Sequence, residues 1–320
     1  MVDSMSGAPR KVVVQDRLVE ADGVVSLVLV DEAGGALPDW SPGAHIDVHL
    51  GSDLIRQYSL CGRPEDTLSY RIGILREPGG RGGSEALHDK VAVGDRLQIT
   101  GPRNHFELVD APSYLFVAGG IGITPILPMI AHVHSLRADW RLLYGGRTRA
   151  SMAFVAELEA YGDRVQVVPQ DESGLLNLRS AFTGMHPQAE TYCCGPEPLI
   201  AAVREVHPHR SSGRLRFERF GKTVDVVDGR GEHRFDVHLA RSGVTVEVPV
   251  GRTILECVRA SGIEASSSCE EGICGECETT VLGGIPDHRD SVLDDAERSG
   301  GATMMICCSR AMGDELVLDL

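Results

Sequence analysis

Cys269, Cys274 and Cys277 are spaced C-x4-C-x2-C, and a further pair, Cys307 and Cys308, follows about thirty residues later. Thiolates at such spacing can enclose metal. Four of them hold two irons bridged by two sulfides, while Cys274 and Cys277 alone form a knuckle that suits zinc. The intervening residues favour iron and sulfide. Ser266, Ser267 and Ser268 precede the first thiol, and Gly272 and Gly275 let the backbone wrap closely and aim its N–H groups at sulfur. A zinc ribbon usually carries a second paired knuckle, and this segment has a four-residue gap and a distant last thiol instead. Cys307 and Cys308 are adjacent, so on an extended chain they face opposite sides and only one ligates. Cys257 lies on the apolar face of an expected helix and reads as core. With nine cysteines, an odd number, metal or redox work fits better than a disulfide framework.

A two-iron centre accepts electrons singly, whereas a reduced nicotinamide gives up two as hydride, so a chain coupling them needs a carrier such as flavin. Arg56-Gln57-Tyr58-Ser59-Leu60 alternates as a strand that could serve one. Arginine grips phosphate, tyrosine offers a wall to a flat ring, and the serine hydroxyl can bond near the ring's reactive edge. Arg81-Gly82-Gly83-Ser84 then opens a short helix expected over Glu85–Leu87, where backbone N–H groups could close on phosphate. Later, the strand Leu115–Ala118 runs into Gly119-Gly120-Ile121-Gly122-Ile123-Thr124-Pro125. Here Thr124 is expected as N-cap and Pro125 as the first residue of a helix reaching Leu136. Such a turn can cradle a pyrophosphate, although Pro125 stands where the dinucleotide fingerprint has its third glycine. Arg147 and Arg149 follow the expected strand Arg141–Tyr144, where an arginine could meet a 2′-phosphate. NADPH therefore stays open beside NADH.

The elements that must position these groups fall into three regions. Short strands at Val12–Val14, Val24–Val30, His45–Leu50, Ile55–Leu60, Tyr70–Leu75 and Arg96–Thr100, parted by Gly, Pro and Asp, predict an antiparallel barrel. From Leu115 onward strands alternate with helices, through Val165–Val168, Thr191–Cys194 and the helix Leu199–Val206. That alternation predicts a parallel sheet binding its ligand at the carboxyl ends of its strands. Around the cysteines, strands at Phe235–Ala240, Val244–Val248 and Glu315–Leu320 with a helix at Thr253–Ala260 predict a small separate fold.

At 320 residues, with 42% apolar and 24% charged, the chain suits two or three compact domains, three being expected. Tyr114–Val133 carries no formal charge and is long enough to raise a membrane span, but its glycines and prolines fit a buried strand, a turn and a helix. The polar first ten residues resemble no secretory leader, so a cytoplasmic location is expected. Net charge is −15. Phe235–Leu320 holds 16 Asp or Glu against six Arg and no Lys. That sign argues against nucleic acid and leaves a basic protein partner or a merely solvated face.

In order, Arg56-x-Tyr58-Ser59, the Gly119–Pro125 turn, Cys194-Gly195-Pro196, Phe217-Glu218-Arg219-Phe220 and the cysteines resemble the phthalate dioxygenase reductase family, which includes vanillate demethylase reductases. The resemblance spans nearly the whole chain. It implies a multidomain α/β and β fold: a ferredoxin-reductase-like flavin barrel over 1–110, a parallel α/β nucleotide domain over 111–222, a linker at 223–234 and a plant-type 2Fe-2S ferredoxin β-grasp domain over 235–320. It implies FMN in place of FAD, and NADH as donor. By position, Arg56, Gln57, Tyr58 and Ser59 with the Gly82-Gly83-Ser84 turn would hold FMN. Gly120, Gly122, Thr124 and Arg147 would line the nucleotide's path, Cys194 and Gly195 would border the nicotinamide, and Phe220 would lie near the flavin. The family's Cys-x-Ser-Arg-Ala motif places the fourth metal ligand at Cys307, beside Cys269, Cys274 and Cys277, and leaves Cys308 as a packed thiol. The implied activity is that of an NADH-dependent reductase component of a Rieske-type aromatic oxygenase or demethylase. Electrons would pass from NADH to FMN, to the 2Fe-2S centre, and to an oxygenase docked near the acidic ferredoxin domain. Alternatives are a reductase for a cytochrome P450 or other monooxygenase, and a non-catalytic redox-sensing module.

Overall fold

A computed structural model describes residues 9–51, 54–78, 82–220, 233–267, 269–270, 272, 275–290, 292–293 and 295–320. Arg81, Ser268, Cys274 and most of the expected linker lie outside the described residues. The chain divides into two compact units, one ending at Arg219 and the other starting at Phe220.

The first unit opens with β1 (Arg10–Ala21), β2 (Val24–Asp31), β3 (His45–His49), β4 (Ile55–Ser59) and β5 (Ser69–Leu75), then helix α1 (Gly83–Lys90) and β6 (Arg96–Arg103). These strands pair antiparallel in the order β4-β3-β6-β1-β2-β5. A bridge between Leu60 and Ile72 draws the two edges together. Period-two alternation fills the interior with Val12, Val14, Leu27, Leu29, Ile46, Val48, Ile72 and Ile74, all buried. Helix α1 is longer than the expected Glu85–Leu87. Gly82, at φ 79°, makes the left-handed entry, fully buried Leu87 anchors the helix, and Arg76 bonds its exposed Asp89.

A parallel sheet follows, with β7 (Ser113–Gly119), α2 (Ile126–Ser135), β8 (Asp139–Gly146), α3 (Val155–Glu159), β9 (Val165–Pro169), α4 (Gln170–Ser173), α5 (Leu178–Ala181), β10 (Glu190–Cys194), α6 (Glu197–Val206) and β11 (Leu215–Glu218). Its strand order is β11-β10-β7-β8-β9. The chain moves outward from β7 through β8 and β9, then returns to lay β10 on the other side of β7. The switch point, where such sheets open a crevice for ligand, therefore falls between β7 and β10. The uncharged Tyr114–Val133 stretch is divided among β7, a 3-10 turn at Gly120–Ile123 and α2. Among the described residues no helix is long and apolar enough to cross a membrane. Thr124 does not cap α2. The 3-10 turn pulls it into helical conformation, its hydroxyl donates to Ile121 O at 3.0 Å, and Pro125 takes the N-cap position.

The second unit contains β12 (Phe235–Leu239), β13 (Val244–Val248), α7 (Ile254–Ala260), β14 (Glu278–Gly283), β15 (Pro286–Asp287), α8 (Asp295–Gly300), β16 (Thr303–Met305), β17 (Arg310–Ala311) and β18 (Glu315–Leu318). Its main sheet runs β13-β12-β18-β14-β16, and β15 pairs with β17. Helix α7 starts at a capping box, in which Thr253 Oγ1 accepts from Glu256 N and Glu256 Oε2 accepts from Thr253 N. Its apolar face, Ile254, Leu255, Cys257 and Val258, packs into the core.

Candidate functional site

Arg56 and Tyr58 lie on the same face of β4, in register with Val48 and Ile46 of β3. The Arg56 side chain crosses the start of α1 so closely that a Cβ at Gly83 would lie 2.6 Å from its Cγ and 2.8 Å from its Nε. A side chain there would displace the arginine from this path. Ser84 Oγ accepts from Glu77 N at 3.2 Å, which pins the turn to the end of β5. A cation, a helix start and a glycine turn thus meet beside Tyr58, whose phenol burial pushes well above its usual pKa and keeps neutral. These are donors suited to a phosphate with a ring-shaped wall next to it. Ser59, at the end of the same strand, is buried.

Gln57 faces the other way, as strand alternation dictates. It donates to Asp47 Oδ1 at 3.1 Å, within a network in which Arg103 pairs with Asp47 at 2.6 Å and Thr100 bonds Asp47 at 3.2 Å. His45 joins this group, its pKa lowered to about 3 by burial and then by Arg103. The network fixes β3, β4 and β6 behind the Arg56 face, and the Gln57 side chain belongs to it.

At the switch point, two turns meet backbone to backbone. A Cβ on Gly122 would collide with the Cys194 carbonyl and lie 2.7 Å from Gly195 N, and one on Gly195 would lie 3.0 Å from Gly119 Cα. Gly120, at φ 55°, has open space where a Cβ would stand, and its carbonyl lies 3.1 Å from the Tyr144 hydroxyl. The result is a floor of bare backbone that a flat or charged ligand can approach. Thr124 is tied to the barrel, since a Cβ on Gly73 of β5 would sit 2.7 Å from its methyl. Cys194 is fully buried and its thiol is driven far above the usual range. It is shape in this floor, and no nucleophile.

One residue of this region has no role assigned from sequence. Glu218, at the end of β11, stands in register with Cys194. Its Oε2 is buried without a partner, and burial pushes its carboxyl up to about 8. The motif Phe217–Phe220 named the position, but only the register sets this carboxyl beside Cys194. Its neighbour Arg219 bonds Glu197 at the start of α6 and lies 4.6 Å from the Phe217 ring. Arg147 sits in the turn after β8, and Phe220, 42% exposed, begins the second unit.

In the second unit, Cys269, Cys277 and Cys307 are all buried. The Cys307 thiol contacts Cys269, which pulls its pKa down, and Cys277 and Cys308, which together with burial push it well up. Crowded, buried sulfurs are the environment of a thiolate-bound metal centre, and this donor set fits one. The loop reaches that shape through left-handed backbone at Glu270, Gly272 and Gly275. A Cβ on Gly272 would collide with Cys308 Sγ and stand 3.1 Å from Asp290 Cα. Just beyond Cys307 and Cys308, Arg310 is buried and holds the carbonyls of Arg252, His233 and Pro249.

Comparison with known proteins agrees with this arrangement. Residues 237–312 match a 2Fe-2S iron-sulfur cluster binding domain, and residues 116–205 match an oxidoreductase NAD-binding domain. Phenoxybenzoate dioxygenase subunit beta of Ectopseudomonas oleovorans is 43% identical over 303 residues, covering 94% of either chain. The solved structure of phthalate dioxygenase reductase, described as a modular structure for electron transfer from pyridine nucleotides to [2Fe-2S], covers 98% of each chain at 36% identity with a TM-score of 0.72. This chain belongs to the phthalate dioxygenase reductase family. It is an oxidoreductase of that family, with a nicotinamide-binding part and a 2Fe-2S part in one polypeptide. A type IV self-sufficient cytochrome P450 monooxygenase also matches, at 46% identity and a TM-score of 0.89, over 98% of this chain and 41% of the other.

Proposed function

We propose that the chain is the NADH-dependent reductase component of a Rieske-type aromatic oxygenase or demethylase. The observation that carries this reading is the pairing, in one chain, of a switch-point cleft beside a phosphate cradle with a separate unit of converging thiols. Arg56, the Gly82–Ser84 turn, Tyr58 and Ser59 would hold FMN. Gly120, Gly122, Cys194 and Gly195 would receive the dinucleotide, and Cys269, Cys274, Cys277 and Cys307 would ligate the cluster. The flavin supplies a carrier that takes electrons in pairs and releases them singly, matching a donor of two to an acceptor of one. The residues themselves position and insulate, and no acid-base triad is needed.

The reading keeps a barrel to residue 110, a nucleotide domain to 222 and a ferredoxin domain from 235. The acidic second unit would be the surface offered to a basic oxygenase partner, an arrangement supported by its 16 acidic residues against six arginines. A cytoplasmic location goes with this reading, since a thiolate-held cluster suits a reducing compartment. Anaerobic stopped-flow with NADH tests the whole reading: flavin absorption should bleach first and cluster absorption follow. Bleaching without any cluster reduction would sink the relay. The likeness to the P450 fusion supports a second acceptor. Comparing NADH-driven reduction of a purified Rieske oxygenase with that of a cytochrome P450 separates the two, and steady turnover with ferricyanide would eliminate a passive sensor.

A further inference from the structure

The Arg56 cradle and the glycine floor both belong to the first unit, and one arginine ties together the elements that carry them. Arg71 of β5 reaches the segment that opens α3. Its guanidinium pairs with Glu20 of β1 at 2.8 Å and with Glu157 of α3 at 3.0 Å, and it lies 4.7 Å from the centre of the Phe154 ring. Phe154 is buried yet sits in left-handed backbone at φ 62°, a conformation that a bulky side chain avoids and that surrounding contacts must hold. Its ring also backs onto β5, since a Cβ on Gly73 would stand 3.4 Å from Phe154 Cζ. The residue before it, Ala153, has its carbonyl 3.2 Å from the Tyr144 hydroxyl, and the same hydroxyl lies 3.1 Å from the Gly120 carbonyl. Tyr144 is fully buried and has one proton to offer these two acceptors. A continuous line of contacts thus runs from a barrel strand to the glycine turn, through guanidinium, ring, carbonyl and hydroxyl.

We propose that Arg71 is a positioning residue for hydride transfer, holding Phe154 and the start of α3 so that the Gly120 turn, reached through Tyr144, keeps a fixed place relative to the flavin seat. The inference rests on the nicotinamide-reductase reading and adds to it what sets the spacing of the two seats. That spacing matters because a misplacement of about 1 Å can cost on the order of a hundredfold in rate. The ion pairs join β1, β5 and α3, which are far apart in the chain. The Arg71 and Glu20 side chains are largely buried, so water and salt screen them less than a surface pair. The guanidinium gains further hold by resting on an aromatic face. The strained turn at Phe154 comes directly after the carbonyl that meets Tyr144, so a change at the ring is felt at that carbonyl.

Anaerobic stopped-flow of the holoenzyme over a range of NADH concentrations separates the limiting rate of flavin bleaching from the half-saturating concentration. R71M should lower the limiting rate about tenfold and leave half-saturation within about twofold, with FMN content unchanged. Y144F, which removes one hydroxyl and keeps the ring, should lower the same rate by a smaller factor. The double variant should be no slower than R71M alone, because both substitutions cut one path. R96M, which breaks an exposed pair with Glu32 in the same barrel, should change neither quantity. A change confined to half-saturation in R71M, single losses that multiply in the double variant, or an equal loss in R96M overturns the assignment. If R71M does not retain FMN, Y144F decides alone, and an unchanged limiting rate in it overturns the assignment. A wild type whose flavin NADH never bleaches overturns the reductase reading itself.

Discussion

The nucleotide cleft and the thiol loop are built on opposite principles. The cleft is made where regular strands stop: β7 and β10 end side by side, and their turns touch through Gly119, Gly122 and Gly195, with the Leu199 side chain closing on the first and the last. Its shape is fixed by the hydrogen-bonded sheet beneath. The thiol loop lies between α7 and β14, and its described residues include three in left-handed backbone, beside sulfurs that converge. A site of the first kind exists before its ligand arrives. A site of the second kind owes part of its fold to the metal it holds, since ligand binding and local ordering are one equilibrium.

The largest test of that contrast lies in the thiols. C307S should lose all iron and acid-labile sulfide and the visible absorption of the cluster, while the flavin and NADH-dependent flavin bleaching persist. C308S should keep the full iron content. Equal loss in both variants would mean that the adjacent thiol also ligates. The cleft should break differently. G122A must push a methyl into the Cys194 backbone, at a cost of about 3 kcal/mol in stability. Flavin reduction by NADH should slow at least about a hundredfold, with iron content unaffected. Arg56→Ala should weaken FMN retention by about ten- to a hundredfold through loss of a charge-assisted contact, measured as flavin remaining after gel filtration.

Glu218 sharpens the comparison by pH. Its folded-state pKa of about 8 lies above the ordinary 4.5, so the stability it contributes is full below pH 4.5 and is lost as pH rises through about 8. Glu218→Gln should remove that loss, melting near the wild type at pH 5 and above it at pH 9 by the equivalent of roughly 2 kcal/mol. Melts that move in parallel at both pH values would refute the buried acid. The smallest effect should come from T253A, which opens the capping box of α7. It should cost the second unit about 1 kcal/mol and leave nucleotide kinetics untouched.

Much of this was legible in the residues because it is local. Alternation predicted the barrel strands, and cysteine spacing with glycines predicted the thiol loop. The strand and glycine turn over Leu115–Gly122 were readable too, since each depends on neighbours a few positions away. Thr124 was misplaced for the same reason. Its hydroxyl suits an N-cap, but a 3-10 turn closing on Ile121 captured it first. Gln57 read with the cofactor residues on either side of it, and the partner that turns it away, Asp47, comes from another strand.

By itself the sequence determined which chemistry the chain can perform, because thiols, guanidinium groups and bare glycine backbone are properties of residue type and spacing. The tertiary structure decided which of those groups meet. It placed β10 against β7 to open the switch point and set Glu218 in register with Cys194. Each depends on contacts between residues far apart in the chain, whose pairing is settled by the packing of whole sheets and cannot be read from local pattern.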